Sequence, residues 1–251
     1  MIINRISSAL KSQDWTTVFI EFTLVVLGVL VALEVDRYNE LQKERAAEVD
    51  FLYSLERDLQ RDINDVGALL NGFSAVESFG NKAFDTLGEQ GCPAGECWNR
   101  LVELFHATQW LDASLNSATF AEMKRLGLPK DPLLKDKLEQ YYVLGKKRKI
   151  LSKDLPEYRR LVRSIVPPDM QRHIWSNCFS VSGRFERYSD CDSPTTEESA
   201  RTVIEKLQQS TEVMEALTFW LSNLSVTTLT FPQQIDEAEQ VLALVRADIG
   251  S

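Results

Sequence analysis

Few side chains in this 251-residue chain combine the residue type and the spacing that catalysis or metal binding requires. The two histidines, His106 and His173, could act as bases or metal ligands, but neither belongs to an H-E-x-x-H pair or a comparable spacing. The sequence also contains no G-x-S-x-G nucleophile motif, no phosphate-binding loop and no glycine-rich dinucleotide turn. We therefore predict that the chain is not an enzyme and holds no metal and no cofactor, and we interpret both histidines as structural.

Paired carboxylates are the remaining route to acid–base catalysis. Glu197 and Glu198 are adjacent, and Asp131 lies close to Asp136 in the sequence. Neither pair has the apolar surroundings that would indicate burial. In an acidic helical protein such side chains are usually solvated, so we predict no catalytic role for them.

The four cysteines fall into two local pairs, Cys92 with Cys97 and Cys178 with Cys191. Both pairs lie in turn-rich stretches in which a disulfide could close the loop. Two local disulfides indicate an oxidising compartment. A zinc site of four thiolates is an alternative, although neither pair has the tight C-x-x-C spacing of such sites. Four free thiols are another alternative.

One carboxylate, Glu21, lies inside a strongly apolar run, where a charge is costly unless it faces protein, water or a partner. At about 100° per residue, Glu21, Val25, Gly28 and Ala32 share one narrow helix face. Gly28 and Ala32 have the small-x-x-x-small spacing that lets two helix backbones approach closely. This stripe predicts a contact between two membrane helices. Alternatively, Glu21 snorkels to the interface or stays protonated, or it lines a pore.

The apolar run from Thr16 to Val35 has the length of a membrane-spanning helix. Its 20 residues would extend roughly 30 Å, the thickness of a hydrocarbon core. A buried core helix is the alternative, and a cleaved signal peptide is disfavoured because no small-x-small cleavage site follows the run. We predict a short N-terminal segment (1–14), a transmembrane helix (15–38) and a helical domain (39–251).

Charge excludes one class of partner and leaves the topology open. The net charge of -9 and the pI near 4.9 disfavour nucleic acid, because phosphate binding needs clustered lysine and arginine. Arg5 and Lys11 precede the apolar run, whereas Arg37, Lys43 and Arg45 follow it, so the positive-inside rule hardly discriminates. The cysteine pairs favour a single-pass protein of the bacterial inner membrane, with a cytoplasmic N-terminus and a periplasmic domain.

Beyond this segment, the spacing of apolar residues predicts an all-α domain. Apolar residues recur every three or four positions from Asn39 to about Leu70, which indicates a long amphipathic helix. No glycine or proline occurs from Val29 to Asp65, so this helix is predicted to continue the transmembrane helix. Further helices are predicted at about 75–87, 98–108, 116–127, from Pro132 toward 165 with a break at Pro156, 195–209, 211–224 and 233–249. The best strand candidate is 225–231, so we expect the helices to pack as a bundle.

Three blocks of the sequence share a recognisable pattern. Ile20 to Asp50 holds an apolar helix between two glutamates, and Phe51 to Asp62 has Leu-x-x-Leu and Asp-Leu spacing. Ser117 to Tyr142 combines a Ser-x-x-Phe-x-x-Met-x-x-x-Gly block with a leucine-rich helix that ends in paired tyrosines. Together these blocks resemble an uncharacterised family of bacterial single-pass membrane proteins, known as a domain of unknown function. One departure is that residues 36–39 stand where the family has Asn-Trp. The resemblance implies a helical extracytoplasmic domain and brings no known activity.

The leading hypothesis is a membrane-anchored structural or interaction subunit. It would self-associate or join an envelope assembly through its transmembrane helix and long helix, with the lipid bilayer and a second copy or other membrane proteins as partners. The alternative is a periplasmic ligand-binding or sensor-like module. Because only residues 1–14 precede the membrane, such a module would signal through a separate membrane partner. An enzyme of unfamiliar type is the third hypothesis.

Overall fold

The computed structural model describes residues 15–112, 115–151, 155–183 and 185–250. These residues form eight helices and one β-hairpin, which confirms the predicted all-α class apart from the hairpin. The chain divides into two compact units, Met1–Phe51 and Leu52–Ser251. The first helix contributes to both units, and the other elements belong to the second.

The elements follow one another along the chain in the order α1 to α6, β1, β2, α7 and α8. The helices are α1 (Trp15–Gly88), α2 (Cys97–His106), α3 (Ala118–Arg125), α4 (Pro132–Leu151), α5 (Glu157–Ile165), α6 (Pro168–Asn177), α7 (Glu197–Gln208) and α8 (Thr211–Ile249). The strands are β1 (Phe179–Ser182) and β2 (Phe185–Tyr188).

Helix α1 continues without a break to Gly88, as predicted for its first part. The prediction of a separate helix from residue 75 was wrong, because Gly72 does not end the helix. A Cβ at Gly72 would stand 2.8 Å from Leu111 Cδ1, so this glycine makes room for a neighbouring leucine instead of a turn. No proline occurs before Pro93, so every residue of α1 keeps the N–H group that a helix needs.

The core of the second unit follows one face of α1. The residues of α1 that belong to this core are each 3% exposed or less: Leu52, Leu55, Leu59, Val66, Phe73 and Val76. Burial of each large apolar side chain stabilises the fold by about 2 kcal/mol. Helix α8 runs antiparallel to this part of α1, since Glu56 bonds Arg246 at 2.7 Å and the later Gly80 faces the earlier Leu221. Helices α4 and α5 pack on α8, and α2, α5 and α7 pack on one another.

Helix α8 continues through Pro232, although the sequence predicted one helix over 211–224 and another over 233–249. The two predicted helices are one helix, so the predicted division was wrong. The short strand candidate 225–231 is helical as well. Proline in a helix interior costs about 3 kcal/mol because it removes an N–H donor and crowds the preceding turn. Phe231, 3% exposed, packs edge-on against Phe73 with ring centroids 5.7 Å apart. Burial of this face outweighs the local penalty.

Prolines mark helix boundaries elsewhere. Helix α4 ends at Leu151 and α5 begins directly after Pro156, which confirms the predicted break. Helix α5 ends before Pro167, also as predicted. Pro168, however, begins α6, a helix that the sequence analysis did not predict. Proline is favoured at this position because the first N–H groups of a helix have no partner within it.

The second cysteine region contains strands that the sequence analysis missed. Strands β1 and β2 pair antiparallel, with Phe179 opposite Tyr188. Gly183, with φ of +64°, adopts the left-handed backbone that a tight hairpin turn requires. Strands of four residues are too short to show a clear period-two pattern. Cys178 and Cys191 flank the hairpin and hold its ends together.

Candidate functional site

The predicted contact stripe lies on the part of α1 that belongs to the first unit. Glu21, Val25, Gly28 and Ala32 are all helical and exposed, and Val25 is 65% exposed. A Cβ at Gly28 would meet no atom within 4 Å. The stripe is therefore open to a neighbour, and the helix–helix contact stays a prediction.

This part of α1 carries large apolar side chains that are exposed. Twelve of them, between Phe19 and Val35, are 39% to 70% exposed. The hydroxyl of Thr23 donates to the backbone oxygen of Phe19 at 2.8 Å, so its polar group is satisfied within the helix. Within the residues whose side chains the structure describes, which begin at Phe19, no helix is both long and apolar enough to cross a membrane.

The first cysteine pair closes a loop that docks on α7. Cys92 and Cys97 lie at disulfide distance, with Cα atoms 5.3 Å apart. The Glu197 carboxylate accepts hydrogen bonds from the N–H groups of Gly95 (2.8 Å) and Cys97 (3.2 Å). Among the described residues the two sulfurs and this carboxylate are close enough to suggest a metal site, but sulfurs bonded to each other are not thiolate ligands. Glu197, predicted to be solvated, instead fastens the loop.

The other predicted carboxylate pair also has local structural roles. Asp131 Oδ1 accepts hydrogen bonds from the N–H groups of Leu133 (2.7 Å) and Leu134 (3.0 Å) and so caps α4. Asp136 accepts a bond from Gln140 one turn later on the surface of the same helix. The two carboxylates therefore act separately.

The second cysteine pair closes the hairpin beside His173. Cys178 and Cys191 have Cα atoms 5.1 Å apart, and the Ser189 N–H donates to the Cys178 oxygen at 3.0 Å. His173 is partly buried, and its Nε2 lies 2.8 Å from the backbone oxygen of Asp192. This histidine helps to hold α6 to the segment after the hairpin, which agrees with the predicted structural role.

Between α1, α3 and α4 lies an acid–tyrosine cluster, made of Asp58, Asp62, Thr119, Tyr141 and Tyr142. Asp62, 3% exposed, accepts a hydrogen bond from the Tyr141 hydroxyl at 3.2 Å. One turn earlier on α1, Asp58 accepts bonds from Thr119 (2.5 Å) and Arg61 (3.3 Å). Buried polar groups need such partners, so the two carboxylates fix α3 and α4 against α1.

Burial raises the pKa of three side chains in this cluster: Asp62, Tyr141 and Tyr142. Loss of water raises the pKa of Asp62 to about 6, and the charge of Asp58 acts in the same direction. The hydrogen bond from Tyr141 opposes this shift without cancelling it. Burial also raises the pKa of Tyr141 and Tyr142, so both stay protonated. Asp62 is thus a buried carboxyl group that exchanges its proton close to neutral pH.

The two tyrosines of the cluster are core residues with clefts beside them. Tyr142, 4% exposed, stacks on Phe120 with ring centroids 4.9 Å apart, and within the described residues its hydroxyl has no hydrogen-bond partner. A cleft of about 190 Å³ lies beside Tyr141 between α4 and α8, and one of about 150 Å³ lies beside Tyr142 between α3 and α4. Both tyrosines are therefore part of the core, at 2% and 4% exposed.

Where α2 meets α5 lies an arginine–histidine cluster, made of His106, Thr108, Gln109, Arg159 and Arg163. Arg163 donates from Nε to Thr108 Oγ1 (2.9 Å) and from Nη2 to Gln109 Oε1 (3.3 Å). Arg159 Nη1 donates to the Thr108 backbone oxygen (3.0 Å) and to Gln109 Oε1 (3.5 Å). The Phe105 and Trp175 rings lie 4.8 and 5.0 Å from the guanidinium carbon of Arg163. All these acceptors are neutral.

Burial lowers the pKa of Arg163 and of His106 in this cluster. Loss of water lowers the pKa of Arg163 to about 9, and the charge of Arg159 adds to the effect, yet Arg163 stays protonated at neutral pH. His106 is 1% exposed and lies against Phe79 and Tyr188, with ring centroids 5.2 and 5.1 Å away. Burial lowers its pKa to about 4, so the imidazole is neutral. The backbone groups of Cys178 and Ser189 and the charge of Asp190 oppose this shift without cancelling it.

Neither cluster was predicted from the sequence, for different reasons. Asp62 lies three residues after Leu59 and four before Val66, inside the apolar stripe of α1. A carboxylate at a core position was therefore a signal that the sequence contained. Arg159 and Arg163 gave no comparable signal, since nothing in their spacing distinguishes them from other arginines on a helix surface.

Comparison of the chain with known protein families, curated proteins and solved structures finds no match. The resemblance to a family of bacterial membrane proteins therefore stays a prediction that rests on the three sequence blocks. The exposed part of α1 and the two buried clusters are the features from which function has to be argued.

Proposed function

We propose that this chain is a membrane-anchored interaction subunit. Residues 15–38 lie in the bacterial inner membrane, residues 1–14 are cytoplasmic, and residues 39–251 form a helical domain in the periplasm. The chain self-associates, or joins an envelope assembly, through the stripe of Glu21, Val25, Gly28 and Ala32. The observation that carries the proposal is the set of exposed apolar side chains between Phe19 and Val35.

Exposure on every side of the helix favours a bilayer over a protein groove. Consecutive helical residues point about 100° apart, so the exposed residues Leu24, Val25, Val26 and Leu27 together face all directions. Each such side chain gains about 1–2 kcal/mol when it leaves water. A protein groove would cover one stripe of the helix, whereas lipid covers its whole circumference.

The distribution of charge fits a span that begins before Phe19. A span of 18 residues from Thr16 to Leu33 contains one charged side chain, Glu21. A span of the same length that begins at Phe19 ends at Asp36 and contains three, since it also includes Glu34 and Asp36. With the earlier start, the acidic residues after Leu33 lie at the membrane surface, where charged groups meet head groups and water.

Glu21 supplies a reason for a partner within the membrane. A carboxyl group in lipid is costly unless protein or water faces it. A second copy that presents the same stripe would approach closely over Gly28 and Ala32, because neither has a bulky side chain. Glu21 would then be covered by protein, and van der Waals contact along the stripe would stabilise the pair.

The two cysteine pairs support the periplasmic location of the domain. Both pairs lie at disulfide distance, and disulfides persist in oxidising compartments such as the periplasm. Since the pairs lie after residue 38, the part of the chain that follows the anchor would be on the oxidising side.

Alkaline extraction of native membranes tests the anchor. We expect the wild-type chain to stay in the membrane pellet and Leu30→Arg to appear in the supernatant, because an arginine at the centre of a span costs about 3 kcal/mol. Leu41→Arg is the matched control, since Leu41 also lies on α1, outside 15–38, with a similar exposure of 53% against 56% for Leu30. Complete extraction of the wild-type chain would overturn the proposal.

Mass measurement in lipid discs tests the contact stripe. We expect the wild-type chain to give a dimer or higher oligomer and Gly28→Leu to shift it toward monomer, since a leucine holds the backbones apart. Gly67→Leu is the control, because a Cβ at either Gly28 or Gly67 of α1 would meet no atom within 4 Å. A wild-type monomer free of companions after purification from native membranes would contradict an interaction role.

The clefts beside Tyr141 and Tyr142 favour a second candidate, the ligand-binding or sensor-like module. Lys137, Gln140 and Glu237 are among the residues that line the larger cleft and could recognise a polar ligand. A thermal-shift screen of the full-length protein would be followed by Lys137→Ala, with Lys135→Ala, outside the cleft, as the control. Stabilisation that is lost only in Lys137→Ala would support this candidate, and a broad metabolite set without effect would contradict it.

A further inference from the structure

We infer that the arginine–histidine cluster binds a small oxyanion, a phosphate or carboxylate group, between Arg159 and Arg163. The two guanidinium groups lie one helical turn apart on α5, and no described residue places a carboxylate within ion-pair distance of either. Every residue of the cluster belongs to the second unit, so the inference does not depend on the membrane anchor.

Neither of these two partly buried arginines, one helical turn apart, forms an ion pair with an acidic side chain among the described residues. Partly buried charges normally have a partner of opposite sign, because burial removes the water that would otherwise stabilise them. Several other arginines of the second unit do have an acidic partner: Arg61, Arg100, Arg125, Arg160 and Arg246. Arg159 and Arg163 have only neutral oxygens and ring faces.

Several donors in the cluster lack an acceptor. Arg163 Nη1 and Arg159 Nε and Nη2 make no hydrogen bond within the part of the chain that the structure describes. Gln109 Oε1 accepts from both arginines, which fixes the orientation of the amide, and its buried Nε2 has no partner there either. Gln109 is 4% exposed. Of these donors, Gln109 Nε2 is fully buried, and a buried donor without an acceptor is costly. An anion with two or more oxygens would supply acceptors to the guanidinium N–H groups.

The aromatic contacts give the site a fixed geometry. Phe105 and Trp175 each lie about 5 Å or less from the guanidinium carbon of Arg163, and the bonds to Thr108 and Gln109 hold its plane. A planar guanidinium held in this way recognises two oxygens of one ligand through parallel hydrogen bonds. Phosphate and carboxylate groups both have this arrangement of oxygens.

Glu186 is the acidic residue whose charge reaches Arg159, and it does not neutralise the pair. It raises the pKa of Arg159 and thus offsets part of the effect of desolvation. Its carboxylate accepts a hydrogen bond from the Tyr188 hydroxyl, and it forms no ion pair with Arg159. One carboxylate at a distance leaves a net positive charge on the two arginines.

Thermal unfolding of the full-length protein in an uncharged detergent tests the inference. Sodium phosphate and sodium succinate are added separately, with sodium chloride holding the ionic strength constant, because screening alone alters surface charge interactions. We expect the preferred anion to raise the unfolding temperature by about 3 °C or more at a tenfold excess over its dissociation constant. Comparison of the two anions identifies the group that binds.

Three variants separate a specific site from general charge effects. Arg159→Gln should abolish the anion-dependent shift, and Arg163→Lys, which keeps the charge and loses the planar fork, should weaken binding by about tenfold or more. Arg160→Gln should keep the shift, because its exposed guanidinium lies on the same helix and bonds Glu157 at 2.9 Å.

Every result of this experiment decides for or against the anion site. If Arg159→Gln does not fold, titration calorimetry of the wild type, Arg163→Lys and Arg160→Gln replaces the thermal measurement. No wild-type response to either anion overturns the inference. An equal response in Arg159→Gln, or a lost response in Arg160→Gln, also overturns it, and the cluster is then a structural contact between α2 and α5.

Discussion

The acid–tyrosine cluster and the arginine–histidine cluster deal with buried charge in opposite ways. Arg61 bonds Asp58, and burial raises the pKa of Asp62 to about 6, so Asp62 can take up a proton. Arg163 cannot lose its charge near neutral pH, because its pKa falls only to about 9. Its charge is instead covered by aromatic rings and neutral oxygens. His106, in the same cluster, is neutral because its pKa falls to about 4.

The difference shows which cluster needs something from outside. A carboxyl group can adapt to burial by protonation, so the acid–tyrosine cluster is complete with the hydrogen bonds that Tyr141 and Thr119 donate. Arginine keeps its charge in proteins, so the arginine–histidine cluster retains positive charge in partly desolvated surroundings. This is why the anion is expected at Arg159 and Arg163. The two clusters should also respond to acid in opposite directions.

Replacement of His106 tests the response to acid, with the largest expected effect. The pKa of this histidine falls from 6.5 to about 4 on folding. Its contribution to the free energy of unfolding is therefore fully present above pH 6.5 and is lost as the pH falls toward 4. The loss is worth about 3 kcal/mol. We expect urea unfolding between pH 7 and 4 to show a smaller decline in His106→Leu than in the wild type.

His173→Leu serves as the control for this measurement. His173 is only partly buried, and its ring lies against the Asp192 backbone oxygen, so the same substitution removes the other imidazole outside the fully buried core. If His106→Leu and the wild type lose stability in parallel as the pH falls, burial of His106 does not cause the loss in acid. The proposed contrast would then be wrong for the arginine–histidine cluster.

Replacement of Asp62 tests the opposite response. Its pKa rises from 3.8 to about 6 on folding, so its contribution to stability is fully present below pH 3.8 and is lost as the pH rises through 6. We expect an effect of about 2 kcal/mol. Asp62→Asn should therefore be more stable than the wild type at pH 7 and should lose this advantage toward pH 4.

Asp85→Asn on the exposed surface of α1 is the control for Asp62. Both substitutions remove one carboxylate from the same helix, so a general effect of net charge would appear in both. A stability difference between Asp62→Asn and the wild type that does not change with pH would show that Asp62 stays ionised in the folded protein.

Helix boundaries were predictable where one local signal determined them. The predicted break at Pro156 and the predicted helix end at Gly127 are both observed, and Gly127, with φ of +76°, has the backbone that favours glycine after a helix. The breaks predicted between 224 and 233 and between 70 and 75 are absent, because Phe231 packs on Phe73 and Leu111 fills the space beside Gly72. These two positions depend on contacts with distant segments, which local propensity does not contain.

The clusters were less predictable than the helices because each joins distant parts of the chain. The hydrogen bond between Asp62 and Tyr141 spans 79 residues, and that between Gln109 and Arg163 spans 54. The position of Asp62 in an apolar stripe could have shown that it is buried, but not that Tyr141 donates to it. Arg163 depends on the packing of α5 against α2, which no local pattern in the sequence specifies.

The adjacent tyrosines give the smallest expected effect and show whether the acid–tyrosine cluster is complete. Tyr141 and Tyr142 are buried alike, at 2% and 4% exposed, but only Tyr141 has a bond to Asp62. Tyr141→Phe should lower the free energy of unfolding by about 1 kcal/mol. Tyr142→Phe should leave it unchanged or raise it slightly, because the ring stays stacked on Phe120 and a hydroxyl without a partner is removed.

Urea unfolding of both variants at pH 5 measures this difference between matched residues. An equal loss in the two variants would mean that the Tyr142 hydroxyl has a partner in solution, and the cleft of about 150 Å³ beside it is where water or a ligand would bind. The acid–tyrosine cluster would then also depend on a group from outside. The two clusters would then differ only in the sign of their buried charge, because both would need a group from outside.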